Sequence, residues 1–209
     1  MSKIYEQRRR VCMGEFEYLV DDDDQTAWID VGNSGGARVY TLPESVVIDG
    51  IAFAITSVEI GAFCTCYDTG IEELYVPDCY EYLDQDCFSA SPIKTLHIGK
   101  GLRHYMFWSL KSASPDLVVE IDPENPYIKI SEDGHMVLSK DGKTLIYLLH
   151  DIEEVIIPEG VVTIIAYAIS CNQSLRKVHL PKTLKQIEKN GISENEHIQL
   201  DDGKGIIYH

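Results

Sequence analysis

Two stretches of the chain carry the same order of apolar and polar positions. Residues 151–172 read DIEEVIIPEGVVTIIAYAISCN, and residues 174–195 read SLRKVHLPKTLKQIEKNGISEN. Superposing Pro158 on Pro181 aligns Ile152 with Leu175, Val155 with Val178, Ile157 with Leu180, Val161 with Leu184 and Ile164 with Ile187. Further on, Ala168-Ile169 aligns with Gly191-Ile192. Self-similarity at a fixed period of about 20–30 residues marks a solenoid. A unit this short cannot bury its own apolar side, so successive units must stack.

The same columns extend backward. Pro77 as anchor gives Ile71, Leu74, Val76, Tyr80, Leu83 and Cys87-Phe88, and Gly99 gives Ile93, Leu96, Ile98, Leu102, Tyr105 and Ser109-Leu110. For the first coil Ala52 takes the anchor, with Ile55, Val58 and Ala62-Phe63 following. The anchors 52, 77, 99, 158 and 181 are separated by 25, 22, 59 and 23 residues. The long step points to an inserted segment, 112–150. In it, Met136 to Leu138 and Thr144 to Leu149 flank Asp141-Gly142, a hairpin signal, because such turns need positive φ. Ile198 to Leu200 is placed as the start of a sixth strand.

Each coil is predicted to begin with a short strand whose alternate residues face inward, such as Val155 and Ile157. The proline stands at the strand end, where a missing N–H costs least. Stacking then aligns these strands into a parallel sheet, and the rest of each coil is a return path. Ahead of the coils, Glu15 to Val20 and Ala27 to Val31 flank the turn Asp21 to Asp24. Arg38 to Leu42, Val46 to Ile48 and Ile51 to Ile55 follow, the last two around Asp49-Gly50. Residues 1–14 read as a polar lead-in. The expected organisation is residues 1–55 as lead-in and β-rich cap, 56–111 as coils, 112–150 as an inserted β-hairpin region, and 151–209 as coils and the C-terminal end.

The segments IEELYVPDCYEYLDQDCF and IEEVIIPEGVVTIIAYAI sharpen this picture. With Val76-Pro77, Ile157-Pro158, Leu180-Pro181, Ala62-Phe63, Cys87-Phe88 and Ser170-Cys171, the chain resembles the BspA-type leucine-rich repeat family over about residues 38–200. It departs from that pattern at Gly99, where the family has proline, and at Trp108-Ser109-Leu110. The resemblance implies an α/β repeat fold rich in β structure. More fully, it implies a right-handed leucine-rich-repeat solenoid with a parallel sheet, an N-terminal β cap and an inserted hairpin. It also implies a bacterial protein, often secreted or displayed on the cell surface, that adheres or binds protein and does no enzymatic chemistry.

Composition narrows the partners. Among 209 residues, 34 are acidic and 18 basic, a net charge of −16. Nucleic acid and anionic membrane are polyanions and are disfavoured; a cationic protein surface is not. Arg8 to Arg10 is not followed by an apolar run of 7–15 residues, and no stretch of about 18 apolar residues occurs. As given, the sequence is therefore expected to be cytoplasmic and not to insert into a membrane.

Candidate chemistry is sparse. No nucleophile elbow, zinc-protease helix motif, phosphate-binding loop or dinucleotide fingerprint is present. No catalytic residue, cofactor or metal is expected. The four aspartates at 21–24 are contiguous and enclose no glycine, unlike a calcium loop, so a solvated turn is expected. Cys64-Thr65-Cys66 is the one candidate for thiolate metal or redox chemistry. Its spacing is shorter than zinc sites favour, and the six cysteines read as reduced. The outward strand positions carry more information. One column holds Tyr75, His97, Ile156 and His179, the other Glu73, Thr95, Glu154 and Lys177. Aromatic, aliphatic and imidazole groups on an exposed sheet suit recognition. Both columns are expected to run along one face and so bring His97 and His179 together. The reading is a non-enzymatic interaction module for a protein or glycan. The alternative is a structural element that forms a homo-oligomer through an open C-terminal solenoid end.

Overall fold

The computed structural model describes residues 8–63, 70–84, 86–88, 92–105, 117–170, 172–192, 198–203 and 206–208. Its described residues contain strands and turns and no helix. The chain forms two compact units, 1–126 and 127–209, and about five solenoid turns.

In the first unit, β1 (Arg9–Met13), β2 (Phe16–Asp21) and β3 (Thr26–Val31) form an antiparallel meander. Residues 9–13 are therefore a strand rather than a polar lead-in. The local pattern hides this, because four of the five residues stay exposed. The acidic turn is internally satisfied. The Asp21 carboxylate accepts from the Asp23 and Asp24 amides at 3.1 and 3.2 Å, and Arg9 makes two hydrogen bonds to Asp22. The hairpin of β5 (Ser45–Ile48) and β6 (Ile51–Val58) turns at Asp49-Gly50, both at positive φ. Parallel pairing then links β3 to β6, β6 to β8 (Tyr82–Leu83), and β8 to β10 (His104–Tyr105). The cap strands thus extend a sheet built from the return paths.

The opposite sheet has the order β11-β9-β7-β4, all parallel, from β4 (Val39–Thr41), β7 (Glu73–Val76), β9 (Thr95–Ile98) and β11 (Val118–Ile121). Two expectations are corrected here. The first coil's strand is β4, and its proline is Pro43, which corresponds to Pro77. The Tyr80 hydroxyl donates to the Pro43 carbonyl at 2.7 Å, and the Leu42 amide donates to Tyr75 O at 3.0 Å. Ala52 belongs instead to the hairpin spliced in after that proline. Second, 112–150 is more than an insertion, since β11 continues the coil register one step past β9. Trp108 to Leu110, where the sequence departs from the repeat, lie outside the described residues.

Leu74, Leu83, Leu96, Leu102, Phe63 and Phe88 have no exposed surface. Phe63 stacks on Phe88 with centroids 5.1 Å apart, so the column of bulky residues packs coil on coil. Gly99 replaces the proline because adjacent coils crowd here. A Cβ on Gly99 would stand 2.8 Å from Asp78 N and from the Pro77 carbonyl carbon. Asn125, fully buried, donates to the Gly99 and Leu102 carbonyls and satisfies two coil-end acceptors.

The second unit repeats this plan. One sheet runs β12 (Ile128–Ile130), β13 (Met136–Ser139), β14 (Thr144–Leu148), β16 (Thr163–Ile164) and β18 (Gln186–Ile187). Its β13–β14 hairpin leads into parallel return-path strands, as β5–β6 does in the first unit. The other sheet holds β15 (Glu154–Ile156), β17 (Lys177–His179), β19 (Gln199–Asp201) and β20 (Ile206–Tyr208). Val155, Val178 and Leu200 face inward and are buried. The predicted sixth strand is β19. Its far edge is taken by antiparallel β20, which is the last strand of this sheet. The last return path is looser: Ile187 keeps 39% of its surface, whereas the equivalent Ile164 keeps none.

Candidate functional site

The outward residues of the two parallel sheets form the candidate site. In a parallel ladder, residues in register point to the same face. In the first unit one row reads Val39, Glu73, Thr95, Val118, and the next Thr41, Tyr75, His97, Glu120. In the second unit the rows read Glu154, Lys177, Gln199 and Ile156, His179, Asp201. The expected columns are therefore real within each unit but do not continue from one sheet to the other. Tyr75 and His97 are neighbours, as are Ile156 and His179, Glu73 and Thr95, and Glu154 and Lys177. His97 and His179 lie in different sheets, because β11 and the β12–β14 segment come between their coils in the chain.

In each unit the second of these rows holds a histidine set between two carboxylates. His97 Nε2 stands 3.0 Å from Glu73 Oε1, and its Nδ1 stands 3.0 Å from Glu120 Oε2. His179 Nε2 meets Glu154 Oε1 at 2.5 Å, and its Nδ1 is 3.4 Å from Asp201 Oδ2. The first carboxylate is diagonal to the ring and the second directly opposite it. A protonated imidazole donates to both, a neutral one to a single carboxylate. Tyr75 lies flat on His97, with centroids 4.1 Å apart and planes 7° apart, and its hydroxyl donates to Glu73 at 2.6 Å. In the second unit Ile156 takes the tyrosine's place and is 67% exposed. Lys177 lies 3.5 Å from Glu154 and 3.6 Å from Asp201.

These contacts shift the acids. Hydrogen bonds from Tyr75 and then His97 hold Glu73 below the ordinary carboxylate range. The bond from His179, with Lys177 nearby, does the same for Glu154. Bonding to Glu73 raises the Tyr75 phenol. Because the folded carboxylate is depressed, the contribution of the Glu154–His179 pair is present above the ordinary glutamate value of about 4.3. It is lost as pH falls through the lower folded value. Replacing His179 with Gln is expected to return the Glu154 titration toward that ordinary value. Carbon-detected NMR of the side-chain carboxyl reads this directly, and an unmoved Glu154 midpoint contradicts the assignment.

Sequence reading missed Val39, Val118, Glu120 and Asp201. The alternation in Val118-Val119-Glu120-Ile121 matches that in Thr95-Leu96-His97-Ile98 and was the available signal. Cys64, Cys66 and Cys171 lie outside the described residues. Among the described cysteines, Cys12 is exposed, Cys79 part-buried and Cys87 buried, all free thiols. Burial pushes the Cys87 thiol well up, away from reactivity. No group of three or more metal-ligating side chains occurs among the described residues.

A family model of the BspA type leucine-rich repeat region matches residues 44–115 and 142–201, with six copies. The chain belongs to this family. Both matched stretches are stacks of the leucine-rich-repeat coils described above, and the gap between them holds β11, β12 and β13. No curated protein matches the sequence. Among solved structures, a leucine-rich repeat protein from Bacteroides ovatus is 14% identical, with a TM-score of 0.50, covering 92% of this chain and 52% of that one. One from Eubacterium ventriosum is 13% identical, with a TM-score of 0.49, covering 89% of this chain and 64% of that one. The chain thus spans under two thirds of each. At these identities the likeness to the first is one of fold.

Proposed function

We infer that this BspA-type repeat protein is a non-enzymatic interaction module. Its binding face in the first unit is the outer face of the β11-β9-β7-β4 sheet, and its partner is a protein that presents basic side chains. The observation that carries this is the Tyr75–His97 stack lying between Glu73 and Glu120. It sets an exposed aromatic ring within a carboxylate frame, flanked by Val39 and Val118, which are 58% and 48% exposed. A guanidinium or ammonium group gains from the tyrosine face and from charge-assisted hydrogen bonds to the acids. The net charge of −16 steers such a partner in and repels polyanions. The Glu154, Lys177, Ile156 and His179 face of the second unit supplies a related, less aromatic surface.

Affinity capture from the native organism, run with wild type and a Glu73→Lys/Glu120→Lys double variant side by side, tests this reading. A protein retained by wild type and lost from the variant is expected. Identical retained material overturns the assignment, and a retained glycan in place of a protein redirects it. The oligomer alternative has the outer edge of β20, the last strand of its sheet, as its pairing surface, and light scattering that finds a strict monomer at high concentration removes it.

A further inference from the structure

The root of the β13–β14 hairpin holds a second histidine arrangement that the interaction face does not use. His135 immediately precedes β13, and His150 follows β14 by two residues. Their Nδ1 atoms are 3.1 Å apart, with the rings 5.0 Å between centroids and 83° between planes. The backbone under them is fixed. The Leu149 amide donates to the His135 carbonyl at 2.8 Å, Met136 pairs with Leu148, and Met136, Leu148 and Leu149 are buried. The Asp133 carboxylate anchors His135 from the other side, accepting from its backbone amide at 3.1 Å and from the Ser131 hydroxyl at 2.5 Å. Both rings are only part-buried, so solvent reaches the pair.

Histidine nitrogens bind borderline divalent metals at about 2.0–2.1 Å. Two nitrogens bound to one ion at that distance stand about 2.9 Å apart at a right angle and about 3.3 Å apart at the tetrahedral angle. The observed separation falls inside this interval. We propose that His135 and His150 form a two-imidazole site for a divalent transition cation of the nickel, copper or zinc class, bound through both Nδ1 atoms with water in the remaining positions. Imidazole ligands select these metals over magnesium and calcium. In the metal-free neutral pair, one ring donates Nδ1–H to the other ring's Nδ1. Binding requires the donor ring to carry its proton on Nε2 instead, which frees the second lone pair without a net change of charge. A pair already sharing an extra proton releases it to solvent, so binding weakens in acid. His97 and His179 each place a carboxylate at both ring nitrogens.

Calorimetric titration of the full chain with Ni2+, repeated on His135→Gln and His150→Gln, tests the site. Thiols contribute equally to all three proteins, so the difference isolates the imidazoles. Wild type is expected to bind one equivalent that becomes at least fivefold weaker in each variant, and a smaller loss in either overturns the proposal. Should a variant fail to fold, NMR of the wild-type imidazole nitrogens under substoichiometric Ni2+ decides. Broadening centred on His135 and His150 supports the site. Broadening that spares them and falls on His97 or His179 removes it.

Discussion

Replacing Phe63 with Ala is expected to cost about 3–5 kcal/mol, the range for emptying a buried aromatic site. The ring has no exposed surface and stacks on Phe88. It also meets Tyr40 at 5.9 Å and Phe16 at 6.4 Å between centroids, so it joins the first coil, the next coil and the cap. The backbone holds it there as well, because the Phe63 amide donates to the Cys87 carbonyl at 2.8 Å. Gly32 completes the site, since a Cβ there would sit 2.2 Å from the ring. Rigid backbone on that side cannot collapse into the void, which places the loss toward the top of the range. Urea unfolding followed by tryptophan fluorescence reads the first unit, because Trp28 and Trp108 both fall within residues 1–126. Phe63→Leu should cost under about 1.5 kcal/mol, because other coils fill this column with aliphatic residues such as Ile169. A loss below about 1 kcal/mol for Phe63→Ala refutes the plug-like packing of this column.

The second large effect comes from adding a single methyl group. Gly101 has φ outside the left-handed region, so Ala is conformationally acceptable there. The obstacle is the neighbouring coil: the new Cβ would lie 2.2 Å from the Asp78 carbonyl oxygen and 2.8 Å from that of Tyr80. Both are backbone atoms of the preceding coil and cannot swing aside like a side chain. The coils must separate locally, which strains the β7–β9 ladder and the hydrogen bond that the Lys100 amide donates to the Asp78 carboxylate. Overpacking of this kind costs about 1–3 kcal/mol and occasionally more. Gly101→Ala is expected at the upper end, read as a drop in the urea midpoint from that of wild type. If Gly101→Ala unfolds at the wild-type urea concentration, coil-to-coil contact is not what requires glycine at position 101.

Much of the fold is legible in the chain because inward positions are local. Val155, Ile157, Val161, Ile164 and Ala168 are apolar and buried for the same reason: stacking leaves one side of each coil without water, whatever the neighbour's identity. The repeat columns, the Asp-Gly hairpins and the outward placement of Tyr75 and His97 all follow from spacing alone. The departure at Gly99 was also visible, though its cause was not. That cause is a contact with Asp78, 21 residues away, which no local pattern encodes.

The pairing of strands is a different kind of information. Ala52 and Pro43 were both available as the first anchor, and only the ladder from β4 to β7 selects Pro43. The 59-residue step looked like one insertion, and only pairing with β9 makes Val118 to Ile121 a further coil strand. The same pairing brings Glu120 to His97, as β19 brings Asp201 to His179. The sequence by itself determined which residues face the core and which face solvent, because burial depends on a residue's own polarity and its period. Tertiary structure alone decided which outward residues become neighbours, because that depends on loop lengths and on which coil lies beside which. The carboxylate–imidazole frames and the His135–His150 pair are products of that second decision.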